Sequence, residues 1–418
     1  MKEARSGALR PASPVAGILK RQGWTLARGR GKAVFEVRKA GQRVFELCLE
    51  GRGSAGASAS ASVEPAFRLL VQGKLSPSER AAAAELSSGL CLLLDGLRRA
   101  PEGSAQARAE SHEGYEGFDL LLRVTLACNQ RCLFCCVPPS RARISAESVE
   151  AELKALAPRL GPKGTLTLSG GEPLVEPRLL ELLASARAKG IRRFVLQTNA
   201  VGLEQPGAVE RLTKLGVRHF FVSFHSHLPG AYDRITGSRR LYPKAVRALQ
   251  ALFSNKGYGV TVNVVVCAWN YRALAGLMRF VAGLVRASKG RPIGSVDIYF
   301  SMINGVGLAK APEAGVDLAK AAPFLREAVA AAEKEGLKVQ PFAAEAAMPL
   351  CLLSRPARYA SRRPLGQDRV SYVEDDASFD LIGRVKRMSC SECRFDSRCL
   401  GVPVEYARLF GLKALEAV

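Results

Sequence analysis

The sequence predicts an α/β protein whose centre is a partial (β/α)6 barrel, with a small α+β domain before it and a cysteine-rich region after it. Three observations carry this expectation. From residue 118 onward, apolar runs of strand length alternate with longer helical ones; the first 115 residues break that rhythm; and residues 346–418 gather cysteines where apolar periodicity fades. A chain of 418 residues has room for two to three domains at roughly 100 to 200 residues each. We divide it into 1–115, 116–310, 311–345 and 346–418.

Within residues 1–115, AVFEVRK and RVFELCLE alternate partially around AGQ, which predicts a hairpin. GRGSAGASASAS is a low-complexity loop of small residues with little to bury. SPSERAAAAELSSGLCLLLDGLRRA predicts a helix ending near Arg99, with Ser76 and Ser78 as candidate caps, and PEGSAQARAESHEG reads as a linker. The regular pairs follow: DLLLRVTLA with SAESVEAELKALAPRL, TLTLSGG with EPRLLELLASARAKG, RFVLQTNA with GAVERLTKLG, HFFVSFHS with YPKAVRALQALFSNKG, VTVNVVVCAWN with YRALAGLMRFVAGLV, and VDIYFSMIN. Six strands linked through helices give a parallel sheet with right-handed crossovers, curled in one sense into part or all of a TIM-type barrel, whose chemistry sits at the C-terminal strand ends. DLAKAAPFLREAVAAAEKEG predicts a connecting helix in 311–345.

Composition narrows the function classes. Hydrophobic residues at 48% and charged residues at 24% are globular proportions. The longest apolar candidate, ALAGLMRFVAGLV, is interrupted by Arg279, and MKEARSGALRPASP lacks the apolar core of a signal peptide, so we expect a cytoplasmic protein with no membrane span. Thiols stay reduced there, which turns clustered cysteines toward metal binding or catalysis. The formal charge of +23 favours acidic partners, nucleic acid among them. Because basic residues are spread along the chain, a solvated basic surface is the stronger account.

Four of the 11 cysteines fall in LACNQRCLFCCVPP, and Cys128, Cys132 and Cys135 form a CxxxCxxC on the loop leaving the first strand of the barrel. Three thiolates on one loop can hold three corners of a 4Fe-4S cluster and leave one iron open. Structural zinc wants four closed ligands, and Cys136, adjacent to Cys135, reads better as a small hydrophobe. The next strand ends in SGGEP: Gly170 and Gly171 admit close backbone approach, and Glu172 offers a carboxylate to an ammonium.

CNQRCLFC, with Phe134 before its third cysteine, followed by SGGEP at the next strand end, resembles the radical S-adenosylmethionine (radical SAM) superfamily. The resemblance implies S-adenosylmethionine on the open iron, with Glu172 near its amino group. QTNA, VSFHS and VNVVV resemble pocket-lining segments of that superfamily. Alternation along a strand points Ser223 with His225, and Asn263 with Val265 and Cys267. Ser223 and Asn263 then either bind the cofactor's carboxylate or ribose or are core polar groups satisfied by backbone. His225 and His227 form an HxH without an acidic or thiol neighbour, so we read them as pocket-facing or exposed rather than as ligands. YDRITG resembles a loop of radical enzymes that modify peptides.

Cys351, Cys390, Cys393 and Cys399 form the second set, and CxxCx5C followed by LG and Tyr406 resembles the SPASM or twitch regions that carry auxiliary clusters. Pro403 stands where that pattern continues with cysteine, so four ligands remain, enough for one 4Fe-4S cluster or a closed zinc site. Either metal would supply folding free energy to a segment with little core. The resemblance implies reductive cleavage of S-adenosylmethionine to a 5'-deoxyadenosyl radical, a low-potential donor of flavodoxin or ferredoxin type, and a peptide substrate. A small molecule, an RNA base and a non-enzymatic metal-binding protein are the alternatives.

Overall fold

The computed structural model describes residues 119–137, 144–160, 164–343, 346–362, 364–365, 370–373 and 383–418, with five further strand segments before residue 110. The chain divides into two units. In the first, strands β1 (Trp24–Arg28), β2 (Val34–Lys39), β3 (Gln42–Glu50) and β4 (Ala66–Leu70) form an antiparallel sheet in chain order. β2 and β3 are the hairpin that the alternation predicts, and their pairing closes with Lys39 opposite Gln42. The low-complexity loop and the helix expected before Arg99 lie outside the described residues.

The second unit is built on one sheet that runs in chain order. β5 (Gln106–Ala109) pairs antiparallel with β6 (Asp119–Thr125). After α1 (Ala146–Leu160) comes β7 (Thr165–Gly170); after α2 (Leu179–Ala188), β8 (Arg193–Thr198); after α3 (Ala208–Lys214), β9 (Val217–Ser223). Two helices, α4 (Pro229–Thr236) and α5 (Tyr242–Phe253), precede β10 (Gly259–Val266), and α6 (Leu274–Ser288) precedes β11 (Val296–Met302). Then α7 (Gly305–Lys310) and α8 (Leu318–Glu335) lead to β12 (Lys338–Val339), and β6 through β12 are parallel throughout. The barrel-like α/β fold is as expected, with two differences at its edges: a seventh parallel strand inside the stretch read as connecting helix, and an antiparallel strand inside the stretch read as linker.

Period-two alternation explains how this sheet presents a site. Leu166 and Leu168, Phe194 and Leu196, Phe220 and Val222, and Val260, Val262 and Val264 are all buried, and they share one face. The other parity is polar and half-buried at Ser169, Gln197, Ser223 and Asn263. Cross-strand bonds confirm the shared face: Ser169 Oγ donates to Gln197 Oε1 at 3.0 Å and Ser301 Oγ to Asn263 Oδ1 at 2.9 Å. One face thus packs under helices by hydrophobic burial while the other keeps hydrogen-bonding groups in reach of a ligand.

YDRITG departs from the expected loop. It lies in α4, which starts on Pro229 and ends at Gly237 with φ 55°. Pro at the first turn and Gly in the left-handed position after the last are the physical start and stop signals of a helix. Beyond β12 come a turn at Leu350–Leu352, α9 (Pro356–Tyr359), and a small sheet of β13 (Val370–Val373), β14 (Arg384–Arg387) and β15 (Val402–Pro403), followed by α10 (Val404–Phe410). Among the described residues no helix is long and apolar enough to cross a membrane.

Candidate cofactor and metal sites

The loop that leaves β6 is pinned along its length. Arg131 N donates to Thr236 O at 2.8 Å and Leu133 N to Ile235 O at 3.2 Å, so the last turn of α4 holds the middle of CxxxCxxC. A Cβ at Gly237 would overlap the Arg131 carbonyl, so only glycine permits this approach. Arg131 Nη1 donates to the Cys128 and Gln130 carbonyls at 2.8 and 2.9 Å, and Lys310 Nζ of α7 donates to Cys135 O at 3.1 Å. The ring of Phe134 packs edge-on against His225 with centroids 5.4 Å apart.

Cys128, Cys132 and Cys135 are part-buried, whereas Cys136 is exposed. Burial pushes the Cys132 thiol up to about 12, and the nearness of Cys135 and Cys128 pushes in the same direction. Cys128 and Cys135 are raised as well, by burial first. Three thiols that oppose one another's ionisation are stable together as thiolates when a cation stands between them, which is the chemistry of a metal or cluster ligand set. The residues therefore fit the cluster that the motif implies.

SGGEP is bound directly to this loop. Gly171 N donates to Thr125 O at 2.7 Å and Glu172 N to Ala127 O at 2.8 Å. Gly170 has φ 151°, and a Cβ on either glycine would run into the carbonyl of Thr125 or Ala127. The close approach that the glycines permit is thus to the cysteine loop's own backbone. Glu172 is 1% exposed, and its carboxylate accepts from Thr198 Oγ1 at 2.6 Å, Leu174 N at 3.0 Å and Asn199 N at 2.6 Å. Burial lifts its carboxyl to about 6 against those three bonds. The bonds from Thr198 and Asn199 tie SGGEP to QTNA. Asn199 Nδ2 then reaches Asn129 Oδ1 at 2.6 Å and closes the circuit back to the cysteine loop.

Ser223 and Asn263 stand side by side in register on β9 and β10. Both lie on the polar face of the sheet, and Asn263 already accepts from Ser301. His225 is buried, accepts from Val265 N at Nδ1 at 3.2 Å, and is held neutral by burial with its pKa down to about 4. His227 turns instead toward α6, its ring 5.9 Å from Phe280 in a space that Gly276 leaves open. The HxH residues therefore diverge. Sequence reasoning singled out QTNA and YDRITG without giving Thr198, Asn199 or Tyr232 a role of its own, and it missed Asn129 and Gln130, which occupy spacer positions where motif spacing is silent about side-chain roles.

The second cysteine set is gathered around one pocket. Cys351, Cys390, Cys393 and Cys399 line this open pocket together with Lys386, Asp396 and Leu415. Burial pushes Cys351 up to about 12, followed by the nearness of Cys399 and Cys390. Lys386, 1% exposed, donates to Asp396 O and Oδ1, both at 2.8 Å. Arg384 Nη2 donates to Gly401 O at 2.6 Å and Ala347 O at 3.2 Å, which fixes the strand behind the cavity. Among the described residues no three His, Cys, Asp or Glu side chains converge on a single ion. A cubane binds its thiolates at separate irons and does not require them to meet at one point.

Residues 122–281 match the Radical SAM superfamily. The chain is 29% identical over 161 residues to the PqqA peptide cyclase of Xanthomonas oryzae pv. oryzae (strain MAFF 311018), covering 38% of this chain and 42% of that protein. It is 31% identical over 149 residues to the PqqA peptide cyclase of Gluconobacter oxydans (strain 621H), covering 35% and 41%. It thus spans less than half the length of these relatives. Among solved structures, Streptococcus suis SuiB bound to S-adenosylmethionine superposes with a TM-score of 0.42 at 16% identity over 52% of this chain and 48% of that one. SuiB bound to precursor peptide SuiA gives 0.41 at 15% over 68% and 57%.

Proposed function

We propose that residues 122–281, which match the Radical SAM superfamily, act as a radical SAM domain, and that the protein cleaves S-adenosylmethionine reductively and directs the resulting radical at a peptide. The observation that carries the reading is the hydrogen-bonded union of the three-thiol loop with SGGEP. When bound, a 4Fe-4S cluster with one open iron supplies the electron that breaks the cofactor's carbon–sulfur bond to give the 5'-deoxyadenosyl radical.

The chain's own residues do the rest. Cys128, Cys132 and Cys135 would hold three irons; Gly171 and Glu172 fix the loop's position by backbone bonds. Gly170, Gly171 and Glu172 together would border the cofactor, with the Glu172 carboxylate toward its amino group. Ser223 and Asn263 offer hydroxyl and amide groups to the cofactor's polar parts from the half-buried face. Cys351, Cys390, Cys393 and Cys399 would hold an auxiliary 4Fe-4S cluster, with zinc as the rival occupant. A donor of flavodoxin or ferredoxin type would supply electrons. The peptide substrate class is supported by the relatives named PqqA peptide cyclase. The location that suits such thiol ligands is a reducing cytoplasm.

Anaerobic reconstitution tests this reading. We expect about eight irons per chain and 5'-deoxyadenosine on addition of S-adenosylmethionine and reductant, with Cys128→Ala losing about four irons and all cofactor cleavage. Cleavage that survives in Cys128→Ala would refute the site.

A further inference from the structure

A buried hydrogen-bonded chain runs from the cysteine loop into α4. Gln130 is 5% exposed and Tyr232 is fully buried. Gln130 Nε2 donates to the Tyr232 hydroxyl at 2.8 Å, and the Cys132 thiol meets Gln130 Oε1 at 3.6 Å. The carboxamide therefore bridges a cluster-ligand sulfur to a tyrosine on a separate element.

This direction suits a protonated thiol only. A carboxamide has one accepting end and one donating end, whereas a phenol both gives and takes. With a thiol, S–H points at Oε1 and the amide N–H at the tyrosine oxygen. The tyrosine's own proton then has no acceptor among the described residues. A thiolate bound to iron has no proton to give, so Oε1 would face another acceptor. Half a turn of the carboxamide about its last bond answers both conflicts: Nε2–H donates to the Cys132 sulfur, and Oε1 accepts from the Tyr232 hydroxyl. The two ends are nearly isosteric, so neither neighbour has to move.

We propose that Gln130 is a positioning residue whose amide N–H donates to the Cys132 thiolate in the cluster-loaded protein, and that Tyr232 holds that orientation by donating to Oε1. The inference rests on the reading that Cys132 ligates iron. A donor at a ligand sulfur favours the more negative, reduced cluster, so the device raises the reduction potential. It makes the one-electron reduction that precedes cofactor cleavage easier.

The test is an EPR-monitored redox titration of the reconstituted full-length protein with iron counting. The signal that changes on addition of S-adenosylmethionine identifies the first cluster. In Gln130→Leu we expect wild-type iron content and a midpoint potential shifted to more negative values. Tyr232→Phe should move it the same way by less, because it frees the amide without removing it. If Gln130→Leu loads poorly, Tyr232→Phe carries the test alone. Potentials unchanged at full loading overturn the proposal and leave the radical SAM reading standing; a wild-type chain that takes up no iron overturns both.

Discussion

Glu172 shows how a motif residue can be legible while its task is not. SGGEP announces a carboxylate at the second parallel strand end, but only the fold reveals that Thr198, Leu174 and Asn199 donate to it inside the protein. Its protonation has a definite pH signature. Burial lifts the carboxyl from the ordinary 4.5 to about 6. The stabilising protonated form is therefore complete below pH 4.5, and its contribution is lost as pH rises through about 6. In urea unfolding of wild type and Glu172→Gln across this window, the wild-type margin over the variant should shrink with rising pH by about 2 kcal/mol. A margin that widens would show that its three hydrogen bonds outweigh burial. The spacer residues Asn129 and Gln130 had no sequence signal at all, because a CxxxC pattern constrains spacing and leaves the identity of x open.

At the scale of elements, legibility followed length and punctuation. The helix α8 could be read from DLAKAAPFLREAVAAAEKEG because Asp317 caps it, with Oδ1 accepting from Ala319 N at 2.9 Å, and Gly336 ends it at φ 85°. Leu318, Ala321, Ala322 and Leu325 supply the buried stripe that a helical period demands. The two-residue strand β12 has no period to detect, and α4 is a short helix whose tyrosine and threonine serve the core as much as helix propensity. Asp317→Ala should lower the unfolding free energy by about 1 kcal/mol through loss of the cap, with iron content unchanged, as calorimetry and iron assay would register. A fall in iron content would mean that α8 transmits strain to a cysteine site.

For the whole molecule, the sheet was readable from repeated strand and helix runs, whereas the meeting of Cys351 with Cys390, Cys393 and Cys399 depends on the path of a chain segment that has little periodicity. β13, β14 and β15 are short, and four part-buried thiols line the cavity beside them. Metal binding is the physical means by which such a segment gains folding free energy. Cys390→Ser removes one of the four ligands and leaves the loop after β6 untouched. We expect iron to fall from about eight to about four per chain, and limited proteolysis to cut residues 383–418 faster, while 5'-deoxyadenosine still forms from S-adenosylmethionine. Retention of about eight irons would remove Cys390 from the ligand set. A wild-type chain holding about four irons and one zinc, with the zinc lost in Cys390→Ser, would assign the cavity to a closed tetrahedral ion. In every case the two cysteine sets respond separately, because their ligands lie on separate elements and the first set's position is fixed by SGGEP and α4.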